Sequence, residues 1–321
     1  MSAVAIGVDV GGTKVLAVAL ADDGQVIDTE RADTPHVPAL DPGASTATTV
    51  LATVDALAAR YGWSHEELVV GVGLPGMMSR EGRLVFAPNL PSATGADIAG
   101  TLVERAPRLR VLCENDADCA VVAEHRLGAA RGVDDVVMVT LGTGIGGGII
   151  TDGRLLRGRS GFAGEIGHMV VDANGLRCPC GSRGCWERYA SGAGVARLAR
   201  EAAAAGRLNA IVAARGDDES VRGEDVTHAA AAGDREALAV IEEVGWWLAL
   251  GLANLAAVLD PALFILGGGL AEASALLLPP TRRHLVGLLE AGEQRPQIDV
   301  VAAELANHAG AVGAALLAAG R

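Results

Sequence analysis

The sequence predicts an α/β protein of two lobes, and three observations lead there. Residues 4–28, VAIGVDVGGTKVLAVALADDGQVID, read as strand, glycine turn, strand, Asp-Gly turn and third strand, a meander. Residues 136–158, VVMVTLGTGIGGGIITDGRLLRG, repeat that order, with Gly142 and Gly144 at the first turn and Asp152-Gly153 at the second, so one architecture occurs twice. Between and after the copies helices alternate with strands, and at 321 residues the chain is longer than one average domain and short of three.

Taken in order, the first meander is followed by an apolar helix over residues 44–60, the strand LVVGVGLPG, a polar loop, and the strand VLCEN, which runs into the helix DADCAVVAEHRLGAA. After the second meander comes a Pro- and Gly-rich stretch, then Ala-rich helices. The segment GWWLALGLANLAAVLDPALFILGGGL reads as helix, strand and glycine turn before a further helix. No stretch has the composition of a linker, so the lobes are expected to meet directly and to place the site in the cleft between them. Half the residues are hydrophobic but only 3% are aromatic, so the core is expected to be packed from Ala, Val, Leu and Ile.

A formal charge of -13 argues against non-specific binding of nucleic acid, which needs clustered Lys and Arg. The N-terminus lacks a basic leader region and enters strand-like sequence within five residues, so the mature chain is expected to start at residue 1. The longest apolar run, residues 245–259, is interrupted by Asn254 and too short for a bilayer; it reads as a buried helix, and no membrane contact is expected. Five cysteines, an odd number, suit a reducing cytoplasm better than a disulfide framework.

The glycine segments point to phosphate. GTGIGG at 142–147 satisfies the dinucleotide pattern, but a strand follows where that pattern needs a helix, so a dehydrogenase is disfavoured. A glycine turn between strands can still offer backbone N–H groups to an anion. In the first turn Asp9, Gly11, Gly12, Thr13 and Lys14 combine a carboxylate suited to Mg²⁺, N–H groups, a hydroxyl and a cation. The second offers Gly142, Thr143 and Gly144; Gly267, Gly268 and Gly269 give a third approach near a ribose or adenine. The plain alternatives are tight hairpins and an ordinary strand-to-helix turn.

Asn115 and Asp116 sit where a strand gives way to a helix, the place of a helix cap. An Asp there can instead accept the proton of a hydroxyl attacking a phosphoryl group, because such loose transition states ask for positioning more than for strong basicity. Cys178, Cys180 and Cys185 fall within eight residues, and His168 precedes them in GEIGH; together they form a candidate Cys₃His structural zinc site. A redox pair and inert buried thiols are the competing readings, whereas Cys113 and Cys119 read as small core residues. Glu165 and Glu187 bracket His168, and a metal-held loop would aim both carboxylates at vicinal hydroxyls, with a sugar as the natural guest; the alternative is plain surface solvation.

Together, DVGGTK, GLPG, END, LGTGIGGG, GEIGH, CPCGSRGCWE and LGGG make the chain resemble the ROK family of sugar kinases, over nearly its whole length, and within it the bacterial ATP-dependent glucokinases. The resemblance implies an actin-like, duplicated ribonuclease H-like fold with a zinc-binding loop. It implies a small lobe of residues 1–113 plus 307–321 and a large lobe of residues 114–306. It also implies transfer of the γ-phosphate of ATP to the 6-hydroxyl of glucose, with Mg²⁺ accompanying the nucleotide. By motif, Asp116 corresponds to the base; Asn89, Asn115, Glu165, His168 and Glu187 to sugar-binding residues; and His168, Cys178, Cys180 and Cys185 to the zinc set. A homo-oligomer, dimer or tetramer, is expected. Kinases for N-acetylmannosamine, fructose or allose share most of these motifs. The family's repressors carry a helix-turn-helix ahead of the first glycine turn, whereas eight residues precede Asp9 here, so an enzyme is preferred to a regulator.

Overall fold

The computed structural model describes residues 4–35, 43–269 and 274–320. The first meander forms β1 (Val4–Val10), β2 (Lys14–Leu20) and β3 (Val26–Asp33), followed by α1 (Ala44–Tyr61) and β4 (Leu68–Leu74). A small hairpin of β5 (Met77–Met78) and β6 (Leu84–Phe86), then α2 (Ile98–Arg105), lead to β7 (Arg110–Asn115) and α3 (Asp116–Leu127). The first sheet has the order β3-β2-β1-β4-β7. The meander is antiparallel, while β4 and β7 extend it in parallel. β4 is buried along its whole length, as an apolar central strand covered on both faces should be.

The second meander forms β8 (Val136–Leu141), β9 (Ile145–Thr151) and β10 (Arg154–Leu155). A helical stretch follows: α4 (Glu187–Ala190), α5 (Gly192–Ala204), α6 (Asn209–Arg215), α7 (Gly223–Ala231) and α8 (Arg235–Leu259). The chain ends with β11 (Leu263–Gly267), α9 (Ser274–Leu288), β12 (Asp299–Ala302) and α10 (Ala309–Ala318). The second sheet is ordered β10-β9-β8-β11-β12. Counted within each copy, both sheets run third, second, first, fourth, fifth strand. The repetition visible in the two meanders therefore extends to whole sheets, in the duplicated ribonuclease H-like order.

Contacts group the chain into two units. One comprises the chain up to Asp134, Gly148–Gly164 and the chain from Glu304 on; the other comprises Asp135–Gly147 and Glu165–Ala303. This differs from boundaries at 113/114 and 306/307, for reasons visible in packing. Within the first unit, seven of the ten residues of α10 are Ala or Gly, which lets it lie directly on the sheet: a Cβ on Gly7 would come 1.7 Å from the Ala311 carbonyl oxygen, and one on the paired Gly71 1.8 Å from that of Ala314. The other side of α10 meets α3, where a Cβ on Gly313 would come 1.7 Å from the Cys119 carbonyl oxygen. The fully buried carboxylate of Glu124 on α3 accepts hydrogen bonds from the N–H groups of Ala129, Glu304 and Leu305. Residues 148–164 join the same unit through the Arg80 guanidinium, which donates to the Gly158 carbonyl at 2.7 Å.

In the second unit α8 is longer than the apolar run that announced it, because Asp234 caps it well before residue 245, its carboxylate accepting from the Ala237 N–H at 2.8 Å. Among the described residues α8 alone is long and apolar enough to cross a membrane. Val240, Ile241, Val244, Leu248, Leu252 and Leu255 are instead buried in the unit, against neighbours that include α7 and α9. It is a core helix.

Candidate active site

In the first unit, parallel pairing sets the strand ends in register: Asp9 of β1 faces Gly73 of β4, which faces Glu114 of β7. A Cβ on Gly73 would stand 3.5 Å from the Asp116 Cα and 3.7 Å from Asp9 Oδ1, so both aspartates flank one bare backbone position. Asp9 is half-buried, and the start of α10 closes on it, with a Cβ on Gly310 falling 2.8 Å from its carboxyl carbon. Burial pushes the Asp9 carboxyl up to about 6.

Asn115 is the helix cap that its position suggested. Its Oδ1 accepts from the Ala117 and Asp118 N–H groups at 2.8 and 3.0 Å. Its Nδ2 also donates to the Gly76 carbonyl at 2.9 Å, tying α3 to the GLPG turn, where Gly76 has a φ of 116° that favours glycine. Asp116 opens α3 and is half-buried, at the helix end where a negative charge is favoured. Behind it Glu114, 8% exposed, pairs with Arg157 and accepts the Asn115 N–H at 3.1 Å.

The glycine hairpin joins this neighbourhood. The Gly11 N–H is spent inside the turn, donating to the Lys14 carbonyl at 2.9 Å, so it is not one of the donors left for an anion. Gly12 lies against Asn89, its would-be Cβ 3.5 Å from the Asn89 carbonyl oxygen. Thr13, Lys14 and Asn89 are exposed.

The second unit holds the remaining residues. The Gly142 N–H is likewise spent inside its turn, donating to the Gly144 carbonyl at 3.0 Å, a span one residue shorter than in the first hairpin. Gly268, at φ 87°, packs on the backbone of Leu141, where a Cβ would come 2.6 Å from the carbonyl oxygen, so the Gly267–Gly269 turn adjoins the Gly142–Gly144 turn. Thr143 and Gly269 are exposed.

The cysteine knuckle folds back on the strand-like run before it, with bridges pairing Val170 with Cys185 and Arg177 with Arg183. His168, Cys178, Cys180 and Cys185 converge, with one ligand atom from each lying within 4.8 Å of the others. Cys178 Sγ is 3.8 Å from His168 Nδ1, and Cys180 Sγ is 3.6 Å from Cys185 Sγ. Tetrahedral zinc, with bonds of about 2.3 Å to sulfur and 2.0 Å to nitrogen, holds its ligand atoms about 3.5–3.8 Å apart. The four residues therefore fit zinc in both donor chemistry and spacing. Burial raises the thiols of Cys178 and Cys185; at Cys180 burial also acts upward, but hydrogen bonding with Ser182 and the two neighbouring thiols outweighs it and lowers that thiol. Cys113 and Cys119 lie in the first unit, outside the cluster.

His168 turns Nδ1 toward the thiols and Nε2 toward Glu165, whose Oε2 is 4.0 Å away. Burial, aided by the neighbouring Glu187 and opposed by His168, holds the Glu165 carboxyl above its ordinary range. Glu187 opens α4, with Oε1 3.1 Å from Cys178 Sγ and 3.8 Å from His168 Nδ1; a Cβ on Gly144 would fall 2.5 Å from its Oε2. One carboxylate thus touches the zinc set and the second glycine turn together. Its backbone is anchored by Trp186, fully buried, whose Nε1 donates to the Trp247 carbonyl at 2.7 Å and whose ring fills the space left by Gly251 on α8. The contacts of Gly310, Arg157, Trp186 and Gly251 escape sequence reading because each joins residues far apart in the chain.

Comparison with known proteins gives a consistent result. The ROK family profile matches residues 5–321. A glucokinase of Streptomyces coelicolor is 40% identical over 322 residues, spanning 98% of this chain and 96% of its own, and one of Thermotoga maritima is 36% identical over 97% of this chain and 95% of its own. Among solved structures, a ROK family glucokinase from Streptomyces griseus, in complex with glucose and AMPPNP, superimposes with a TM-score of 0.85 at 38% identity over 98% of both chains.

Proposed function

The chain belongs to the ROK family, and from that premise we infer that it is an ATP-dependent glucokinase with an actin-like fold, making glucose 6-phosphate and ADP. The observation that carries the reading is the second-unit cluster. There His168 offers Nδ1 to three thiols and leaves Nε2 on the Glu165 side, while Glu187 reaches the Gly142–Gly144 turn. Such a set can grip vicinal hydroxyls next to a phosphate-binding turn.

In the proposed mechanism Glu165, Glu187 and His168 Nε2 hold the sugar hydroxyls, with Asn89 and the remaining Nδ2 hydrogen of Asn115 as further partners. His168, Cys178, Cys180 and Cys185 would hold a zinc ion, whose part would be structural, stiffening the loop that carries Glu165 and Glu187. The turns at Gly11–Lys14, Gly142–Gly144 and Gly267–Gly269 receive the nucleotide, and Asp9 offers a carboxylate to the accompanying Mg²⁺. Asp116 accepts the 6-hydroxyl proton as the O6–phosphorus bond forms and the bond from the γ-phosphorus to the β,γ-bridging oxygen breaks, releasing ADP. Phosphoryl transfer is loose, so the carboxylate need only be aligned and ionised. Five free thiols agree with a cytoplasmic location. A dimer or tetramer is the expected assembly, which light scattering tests.

An ATP-coupled assay over glucose, mannose, fructose and N-acetylated hexoses tests the function. Glucose should have the highest kcat/KM; preference for another hexose would transfer the activity to that sugar. Asp116→Ala should lower kcat by at least about a hundredfold while glucose still binds by calorimetry, and near-normal turnover would remove Asp116 from its role.

A further inference from the structure

The two glycine hairpins are built alike in one respect beyond their glycines. In each, the carbonyl of the first glycine is pinned from outside the turn. In the second hairpin the pin is backbone, the Gly192 N–H at the start of α5 donating to the Gly142 carbonyl at 2.8 Å. In the first it is a side chain: Thr34, just beyond β3 and only 3% exposed, donates its hydroxyl to the Gly11 carbonyl at 2.7 Å. Thr34 also donates its own N–H to the Thr13 carbonyl at 3.0 Å.

A trans peptide is planar, with its C=O and N–H pointing in opposite directions. Holding the Gly11 oxygen toward Thr34 therefore aims the Gly12 N–H, on the same peptide, away from β3. The backbone bond to Thr13 does the same for the following Lys14 N–H. Glycine on both sides of the Gly11–Gly12 peptide leaves that plane unusually free to rotate, so an outside anchor matters more here than in an ordinary turn.

We propose that Thr34 is a positioning residue for the nucleotide, its hydroxyl presetting the Gly12 N–H toward a phosphate of ATP. This rests on the first hairpin being a phosphate loop, as read above. Pre-set donors spare the ligand the cost of ordering them. In Thr34→Val, which keeps the shape and the backbone N–H, the Gly11 carbonyl loses its partner and the peptide can turn.

The test measures KM for ATP, KM for glucose and kcat in the wild type, Thr34→Val and Thr34→Ser, with binding of a non-hydrolysable ATP analogue followed by calorimetry and thermal melts run alongside. Thr34→Val should weaken ATP and analogue binding about tenfold, the scale of one buried hydrogen bond lost, while KM for glucose stays put and Thr34→Ser restores the wild-type values. Unchanged analogue affinity in a folded Thr34→Val protein would overturn the proposal. So would equal losses for ATP and glucose, or a lowered melting temperature with both KM values intact, since these mark a structural role. Analogue binding needs no turnover, so it decides the role of Thr34 even if the wild type fails to phosphorylate glucose, an outcome that would count against the glucokinase reading alone.

Discussion

Replacing Asp9 by Asn should make the protein more stable while disabling it. Burial moves the Asp9 carboxyl from an ordinary 3.8 to about 6. At about 1.4 kcal/mol per pH unit, the anion at neutral pH costs the folded state up to about 3 kcal/mol. Because the side chain is half-buried rather than sealed, part of that is recovered by solvent, so a gain of about 2 kcal/mol is a fair expectation for Asp9→Asn at pH 7. The sign follows from proton binding. Well below pH 3.8 Asp9 is neutral in both states and the variant gains nothing. Between pH 4 and 6 the folded state holds a proton that the unfolded state has released, so wild-type stability falls as pH rises, and above pH 6 the deficit is constant. Urea titrations of both proteins from pH 4 to 8, without nucleotide or Mg²⁺, isolate the effect in their difference, provided the m-values agree. The variant's advantage should be near zero at pH 4, grow to pH 6 and then level off, while its kinase activity is lost. A difference that does not change with pH, or a variant less stable at pH 7, would refute the reasoning.

Two further tests address the second unit. Cys180→Ser should lower the zinc content of the purified protein, measured by plasma emission, and lower its melting temperature, because metal binding and loop folding are coupled; wild-type protein purified without chelators and found free of zinc would remove the metal from the account. In Gly144→Ala the new methyl would press on Glu187, so kcat/KM for glucose should fall by about a hundredfold, the cost of displacing a positioning group by about 1 Å. An unchanged kcat/KM for glucose would show that the Glu187 carboxylate at this turn does not serve the sugar.

Legibility in the sequence followed chain distance. The two meanders, the strand leading into the Asn115 cap, and the four zinc-fitting residues each lie within a short run, where turn glycines, alternation and ligand spacing act locally. The repeat was visible in its meanders because a hairpin is closed by residues only a few positions apart. The full sheet orders depended on strands brought in from far along the chain. Asn115 shows both sides of this: its cap on α3 followed from its place at a strand-to-helix junction, whereas its bond to the GLPG turn, 39 residues earlier in the chain, did not.

By itself the sequence determined which chemistry was present: two glycine turns, paired carboxylates, and a thiol–imidazole set whose members are neighbours along the chain. Tertiary structure decided what those groups touch. It set Gly310 against Asp9, Glu187 against Gly144, Trp186 into the space at Gly251, and the Thr34 hydroxyl on the Gly11 carbonyl. The physical reason is that a short motif is governed by local backbone preference, whereas contacts between distant residues form only when strand register and close packing bring them together, and no single residue in the sequence carries that information.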